Sequence, residues 1–324
     1  MKGGIKLPLV SVVILNFNGL KYLKRTISPL LKLDYSNYEI IVVDNNSEDG
    51  SIQFLEKFKK IRVIKNKKNF GYSKGKNIGV KEARGQYVFL IDNDIWVKNK
   101  KILKKLVVAV YPETFISPVI VDIDNKKTRR YGGYYSFCGL RQNKPIDVFK
   151  IRSYPFGLIN TACPHGGAIF FRKRDFEKIG GYDEIQPFNL DDFDLGCRIW
   201  NMGMQATVAP QIDVIHLGTE SRKNLKSWCW KYQYYFSGIM RTMIKNYRPA
   251  NLFISIPFFL VFVSFKTIKN LISRRSFLPI ASFFFSVGFF LKNLLDTLRQ
   301  RKILQSKRIV KDDIFLKIKP PKFD

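Results

Sequence analysis

The stretch "YEIIVVDNNSEDGS", residues 38–51, joins an unbroken apolar run to a cluster of acceptors and turn formers. A run of this kind reads as a strand covered on both faces, as in parallel sheets, and the polar cluster as the loop at its carboxyl end. The same pattern repeats on either side. "LVSVVIL" (9–15) runs into "NFNG", and "QYVFLID" (86–92) runs into "NDIW", with the shorter strand "IRVI" (61–64) between them. Helical stretches intervene from Lys21, from Ser51 and over Ser73–Ala83. The alternation predicts an α/β fold with a mostly parallel central sheet and helices on both faces. Sheets of this type bind ligands at the carboxyl ends of their strands, where the polar loops gather.

The opening "MKGGIKLPLVSVVIL" has lysines before an apolar run, as a signal peptide does, but it lacks a small-residue cleavage site and is read as the first strand. From about Lys98 to Thr161 the pattern weakens to a helix, the strand "TFISPVI" and the unassigned "RRYGGYYSFCG". A strand "GGAIFFR", the segment "RDFEKIGGYDE", a helix opened by "NLDDFDLGCRIWNMG" and a last strand "QATVAP" leading to "VIHLG" follow.

The 324 residues carry 56 Lys and Arg against 26 Asp and Glu, a net charge of +30, which reads either as compositional drift or as contact with an anionic partner. There is no nucleic-acid module and no basic stripe confined to one helix, so nucleic acid is not an expected partner. Cys138, Cys163, Cys197 and Cys229 form no C-x-x-C pair and read as reduced, buried thiols.

Residues 221–324 hold 21 basic and 4 acidic side chains around two uncharged runs, Pro249–Phe265 (17 residues) and Ser276–Leu291 (16 residues). A spanning helix needs about 20 apolar residues, so both are short. The linking "KTIKNLISRRS" carries four basic residues that the positive-inside rule holds on the cytoplasmic side. Two crossings conflict with that rule, whereas a re-entrant or in-plane pair does not. "WKYQYYFSGIMRTMIKNY" ahead of the runs reads as an interfacial basic and aromatic helix.

Several polar groups suit chemistry. Asp92 and Asp94 flank Asn93, and in an extended segment both would face one hard cation; the bland alternative is a solvated turn. Asp44 closes its strand where a carboxylate can accept from a base NH or ribose hydroxyls, while Ser47 or Asp49 suits helix capping. Gly71, Gly75 and Gly79 read equally as a phosphate-facing loop, with Lys74 or Lys76, or as a glycine-rich helix entry. "LDDFDL" sets three acids at a helix start, more than capping needs and suited to general-base work. His216, at a strand end, is a nitrogen donor suited to Mn²⁺ or Mg²⁺ or else a structural histidine, and His165 reads as structural.

In order, "VSVVILNFNG", "IIVVDNNSEDGS", "NFGYSKGKNIG", "FLIDND", "GGAIFFRKRDFEKIGGYDE", "LDDFDLGCR" and "VIHLGTES" resemble the motifs of family 2 inverting glycosyltransferases with the GT-A fold, nearest the rhamnosyltransferase-like and galactofuranosyltransferase-like branches. The resemblance covers residues 9–245. It implies a nucleotide-sugar donor bound by Asn16, Asn18, Asp44, Asn45, Asn77 and Asp92, with Asp94, Asp92 and His216 on a divalent metal, Mn²⁺ or Mg²⁺. It implies Asp192 as the catalytic base, and Asp191, Asp194, Gly166 and Gly167 on the acceptor side. Asp191 stands where the family's motif has Glu. The family's processive Q-x-x-R-W motif is not supplied by "SWCWKYQYY", so addition of one or a few sugars is expected. The resulting expectation is a membrane-associated transferase with a cytoplasmic GT-A domain over 1–220, its nucleotide half over 1–97 and its acceptor half over 98–220. An interfacial helix over 221–248, an apolar hairpin over 249–295 and a basic tail over 296–324 complete it. The acceptor would be a lipid-linked saccharide or envelope glycan met at a surface of anionic lipids; the alternative is an inactive membrane-bound scaffold of the same fold.

Overall fold

A computed structural model describes residues 7–123, 127–128, 130–143, 146–153, 157–186, 190–218, 234–274 and 276–321. The elements are β1 (Val10–Asn16), α1 (Leu20–Leu30), β2 (Tyr38–Asp44), α2 (Ser51–Leu55), β3 (Ile61–Lys65), α3 (Tyr72–Glu82), β4 (Tyr87–Asp92), β5 (Ile95–Trp96), α4 (Ile102–Ala109) and β6 (Thr114–Asp122). There follow β7 (Lys127–Thr128), β8 (Ile146–Asp147), α5 (Val148–Arg152), β9 (Ile159–Asn160), β10 (Ala168–Arg172), α6 (Lys173–Lys178), α7 (Asp191–Asn201) and β11 (Gln205–His216). Four helices close the chain: α8 (Tyr235–Asn246), α9 (Pro249–Arg274), α10 (Leu278–Lys292) and α11 (Leu294–Ser306).

The main sheet runs β3-β2-β1-β4-β10-β6-β11-β5, with β9 on β11. Strands β1 to β4 are parallel to their neighbours, β10 is antiparallel to β4 and β6, and β11 is again parallel to β6. The α/β expectation therefore stands. Register brings the polar strand ends together: Asn16 lies opposite Asp44, and Leu15 opposite Asp92. Because β10 runs against β4, its start at Gly166 and Gly167 meets the end of β4, where the Gly167 carbonyl accepts from the Asp92 N–H at 3.0 Å.

Alternate strand residues face opposite sides. Val10, Val12, Ile14, Val42, Phe89 and Ile91 form one core with α1 and α4, while Val13, Val43, Val88, Leu90, Ile169 and Phe171 form the other with α3, α6 and α7. Gly75 and Gly79 fall inside α3, where a Cβ would meet Leu15 at 2.4 Å and Val13 at 2.4 Å. The helix lies so close to β1 that side chains there would collide, which decides for helix packing over a phosphate loop at these two positions.

The core under α7 continues without a break past residue 220 into Phe236, Ile239, Met243, Phe259, Val263 and Phe290. Residues 219–233, including the front of the expected interfacial helix, lie outside the described residues. Its remainder, α8, is buried on almost every side. Arg241 and Lys245 of α8 point inward: Arg241 pairs with Asp183 at 2.8 Å and Asp296 at 2.7 Å, and Lys245 with Asp194 at 2.7 Å and with Asp183. One described helix, Pro249–Ser273, is long and apolar enough to cross a membrane, and α10 and α11 are bent by 58° at their junction.

Candidate active site

The first two loops are held by one hydrogen-bonded cluster. Asp44, wholly buried, accepts from Asn16 Nδ2 at 2.8 Å, from the Ser47 N–H at 2.7 Å and from Ser47 Oγ at 2.8 Å. Asn45 Nδ2 donates to the Gly71 carbonyl at 2.9 Å, and its Oδ1 accepts from Asn66 at 2.7 Å. Asn18, exposed and at a φ of 47°, accepts the Glu48 N–H at 2.9 Å. Asp44 and Asn16 thus set the loops' shape and spend their polar atoms internally. Asn77 does not face this cleft; it clamps Tyr182 through both backbone groups, each at 2.8 Å. Sequence reasoning missed Phe17, an exposed aromatic that lines a cleft of about 470 Å³ with Asn45, Phe70, Gly71 and Tyr72. Its signal was available: a large apolar side chain between two asparagines in a strand-end loop.

Asp92 and Asp94 do not share one extended segment, because β4 ends at Asp92 and the chain turns over Asn93 and Asp94 before β5. The premise that put both on one cation fails for that reason. Asp92 faces Lys76 at 2.9 Å and accepts from the Tyr72 hydroxyl at 3.0 Å. Lys76 is fully buried, and its ammonium also donates to Tyr72 and to the Gly166 carbonyl. Burial pushes the Asp92 carboxyl up, and the Lys76 charge opposes that rise. Of the two open readings, a phosphate-facing loop with Lys74 or Lys76 or a glycine-rich helix entry, Lys76 does not serve the first; its partner here is the strand-end acid. Tyr72 was not singled out, although its spacing of four from Lys76 puts both on one face of α3.

Asp94 instead meets His216: Oδ2 lies 3.1 Å from Nε2, both side chains about one-fifth exposed. The other ring nitrogen lies 3.2 Å from Asp122, which Arg130 engages in turn. A carboxylate oxygen and an imidazole nitrogen in contact, the ring held from behind by a second acid, fit a hard or borderline divalent cation. No group of three such ligands occurs among the described residues.

Across the cleft, the start of α7 carries Asp191 and Asp192. Asp192 Oδ2 accepts the Gly166 N–H at 2.9 Å, while its Oδ1 is buried with no partner among the described residues. Burial pushes both carboxyls up, for Asp191 reinforced by Asp192 beside it. A Cβ on Gly166 would lie 2.0 Å from Asp192 Oδ1, so only glycine lets the backbone approach this acid so closely. Gly167 donates to His165 Nδ1 at 3.2 Å, which makes the imidazole's other nitrogen the protonated one. Burial lowers the His165 pKa, so the ring is neutral. Asp194 is not on this side. It is wholly buried between Arg198 at 2.9 Å and Lys245, and accepts from Asn246 at 2.9 Å. Tyr182 was also missed: its buried hydroxyl lacks a hydrogen-bond partner among the described residues and lies within electrostatic reach of Asp191 and Asp192.

The description "Glycosyl transferase family 2" matches residues 11–180. An uncharacterized glycosyltransferase of Rickettsia felis is 32% identical over 207 residues, 59% of this chain and 31% of that protein. The chain spans between about a third and a half of the length of the first curated relatives it matches. Among solved structures, GalNAc-T7 with UDP, GalNAc and Mn²⁺ superposes with a TM-score of 0.57 at 19% identity, over 74% of this chain and 48% of that one. The mannosyltransferase PcManGT from Pyrobaculum calidifontis, with GDP-Man and Mn²⁺, gives 0.56 at 17% identity over 96% and 86%. These likenesses are likenesses of fold.

Proposed function

The chain belongs to glycosyl transferase family 2, and from that premise we propose that it moves a sugar from a nucleotide-diphospho-sugar to an acceptor hydroxyl by a single, inverting displacement. The observation that carries this reading is Asp192: one oxygen pinned by the Gly166 N–H, the other buried and without a partner among the described residues, on a carboxyl that burial makes more basic. In the proposed step the acceptor oxygen bonds to the anomeric carbon, the bond from that carbon to the diphosphate oxygen breaks, and the acceptor proton passes to Asp192 Oδ1. The nucleoside diphosphate leaves with the bonding electrons. The nucleoside would lie over the loops that Asn16, Asn18, Asp44 and Asn45 shape, against Phe17. Asp94 and His216 would hold a divalent cation, whose chemistry is to neutralise the departing diphosphate. Lys76 faces Asp92 and donates to the Gly166 carbonyl, tying the end of β4 to the start of β10, so the donor and acceptor halves keep their spacing.

We place the donor with the rhamnosyl or galactofuranosyl class on motif wording, and the acceptor with lipid-linked saccharides or envelope glycans. Membrane association through the helices after α8, with the catalytic face on the cytoplasmic side, belongs to the same proposal. Transfer would be non-processive.

The test is thermal unfolding of the full chain with UDP, GDP, dTDP and CDP, with and without Mn²⁺, followed by sugar release from the matching nucleotide-sugar. A ligand that binds the native state raises the midpoint. One nucleotide raising it, with sugar release lost in Asp192→Asn, supports an enzyme. A folded protein that responds to none is the inactive scaffold.

A further inference from the structure

We infer that α9 and α10 lie in the plane of one membrane leaflet and do not cross the bilayer. The inference rests on the membrane reading above and settles how the helices sit in it. Along α9 the buried positions are Ser255, Phe259, Val263 and Thr267, one stripe at a spacing of four that runs most of the helix. The helix therefore lies along the protein. Its opposite face is mostly apolar, with Ile254 53%, Val261 71% and Ile268 56% exposed, seven residues apart and so on one line, and Ser264 beside it. Helix α10 repeats the arrangement. Ser286 accepts the Ser237 N–H of α8 at 2.9 Å and Phe290 packs inward, while Phe284, Phe285 and Leu291 face out. The two helices pack side by side on α8 and turn these exposed apolar side chains outward together.

Crossing is disfavoured by what touches the middle of α9. Phe258, at the centre of the uncharged run Pro249–Phe265, meets Phe137 edge to face at 5.3 Å. Phe137 tips a short hairpin in which Tyr135 bridges to Arg141, and Tyr135 stacks on Phe193, the residue after Asp192, at 4.0 Å. If the uncharged run were centred in the bilayer, that hairpin, with its exposed Arg141 and irregular backbone, would stand at the midplane. Lipid-exposed loops and charges are not tolerated there. Helix α10, 15 residues or about 22 Å at 1.5 Å per residue, also falls short of a hydrocarbon core of about 30 Å and ends in the 58° bend.

In the plane these conflicts vanish: hydrocarbon covers the outer faces, Phe137 marks the interface, and Asp192 opens at headgroup level. The occupant we commit to is a lipid bilayer carrying negative charge. Lys269 of α9 and Lys292 of α10 are exposed cations beside the apolar outer faces, and neither helix carries an acidic side chain.

The experiment places a nitroxide at Ile254→Cys, Val261→Cys and Ile268→Cys in the full chain with Cys229→Ser, the other three cysteines being buried. Depth is read on phosphatidylglycerol–phosphatidylcholine vesicles from collisions with oxygen and with a nickel chelate. Equal depths at the three positions, within a side-chain length, are expected. The outer two lie about 21 Å apart along the axis, so a crossing helix would put Val261 deepest and the others near opposite headgroups, which overturns the in-plane arrangement while leaving membrane binding intact. Failure to bind vesicles sinks the membrane reading itself, and a sedimenting dimer with spin–spin broadening at all three sites would show a second copy on this face.

Discussion

Replacing Lys245 by Met tests whether α8 is part of the catalytic unit. The ammonium sits between Asp183 and Asp194, 2% exposed in the side chain, and α7, which begins with Asp191 and Asp192, is tied to α8 through Asp194. Breaking a buried pair costs about 3–5 kcal/mol because a charge is left without its partner. Here Asp194 keeps Arg198 and Asn246, and Asp183 keeps Arg241, so the low end applies, about 3 kcal/mol. For a chain of 324 residues, with about 2.1 cal/mol/K of unfolding entropy per residue, that is a fall in melting midpoint of roughly 4–5 °C. The sign with pH is fixed by the carboxyls. Burial is the largest single effect and raises both, but Lys245 together with Arg241 at Asp183, and with Arg198 at Asp194, outweighs it, and both end below the usual carboxylate range. A depressed folded pKa contributes stability above the unfolded value, near about 4, and loses it as the pH falls below that. The gap between wild type and Lys245→Met, measured by thermal unfolding in mild detergent, should be constant from neutral to about pH 5 and close below about pH 4. A fall under 2 °C by that scale, or a gap that ignores pH, refutes the reasoning. Adding Asp194→Asn to the variant should cost less than the two single losses summed, as coupled partners do.

Three further outcomes follow from the site. Gly166→Ala forces a methyl onto Asp192 Oδ1 and should cut turnover about 100-fold or more, the contribution of a positioned base, while nucleotide-induced stabilisation is unchanged. Lys76→Met removes the charge that opposes the burial-driven rise at Asp92; the carboxyl then takes its proton at higher pH, and the acid limb of the pH–rate profile should move upward, with Lys76→Arg moving it less. His216→Ala should raise the Mn²⁺ concentration needed for half-maximal nucleotide stabilisation, and Asp122→Asn, acting through the ring, should do so less; equal, metal-independent losses would mean the pair is structural.

The strands were legible because burial on both faces leaves a plain signature, and the strand-end acids because parallel register collects them at one edge. Asp194 was also legible and was misread: on a helix it lies two residues, about 200°, from Asp192, so the two cannot face one cleft. Its partner could not be read, since Lys245 is 51 residues on and only folding brings it there. The same holds for Asp122 behind His216.

The charge excess misleads for a related reason. Counting lysines and arginines treats each as surface, yet Lys76, Arg198, Arg241 and Lys245 are all buried on carboxylates, and none is available to a lipid headgroup. Two of these four come from the stretch read as an interfacial belt. Evidence for a membrane therefore rests on the apolar outer faces of α9 and α10, a property of which side chains face outward and not of how many charges the region carries. Composition alone cannot separate a cation that anchors a helix to its own protein from one that anchors the protein to a bilayer. Burial separates them, and it assigns Arg241 and Lys245 to the catalytic unit.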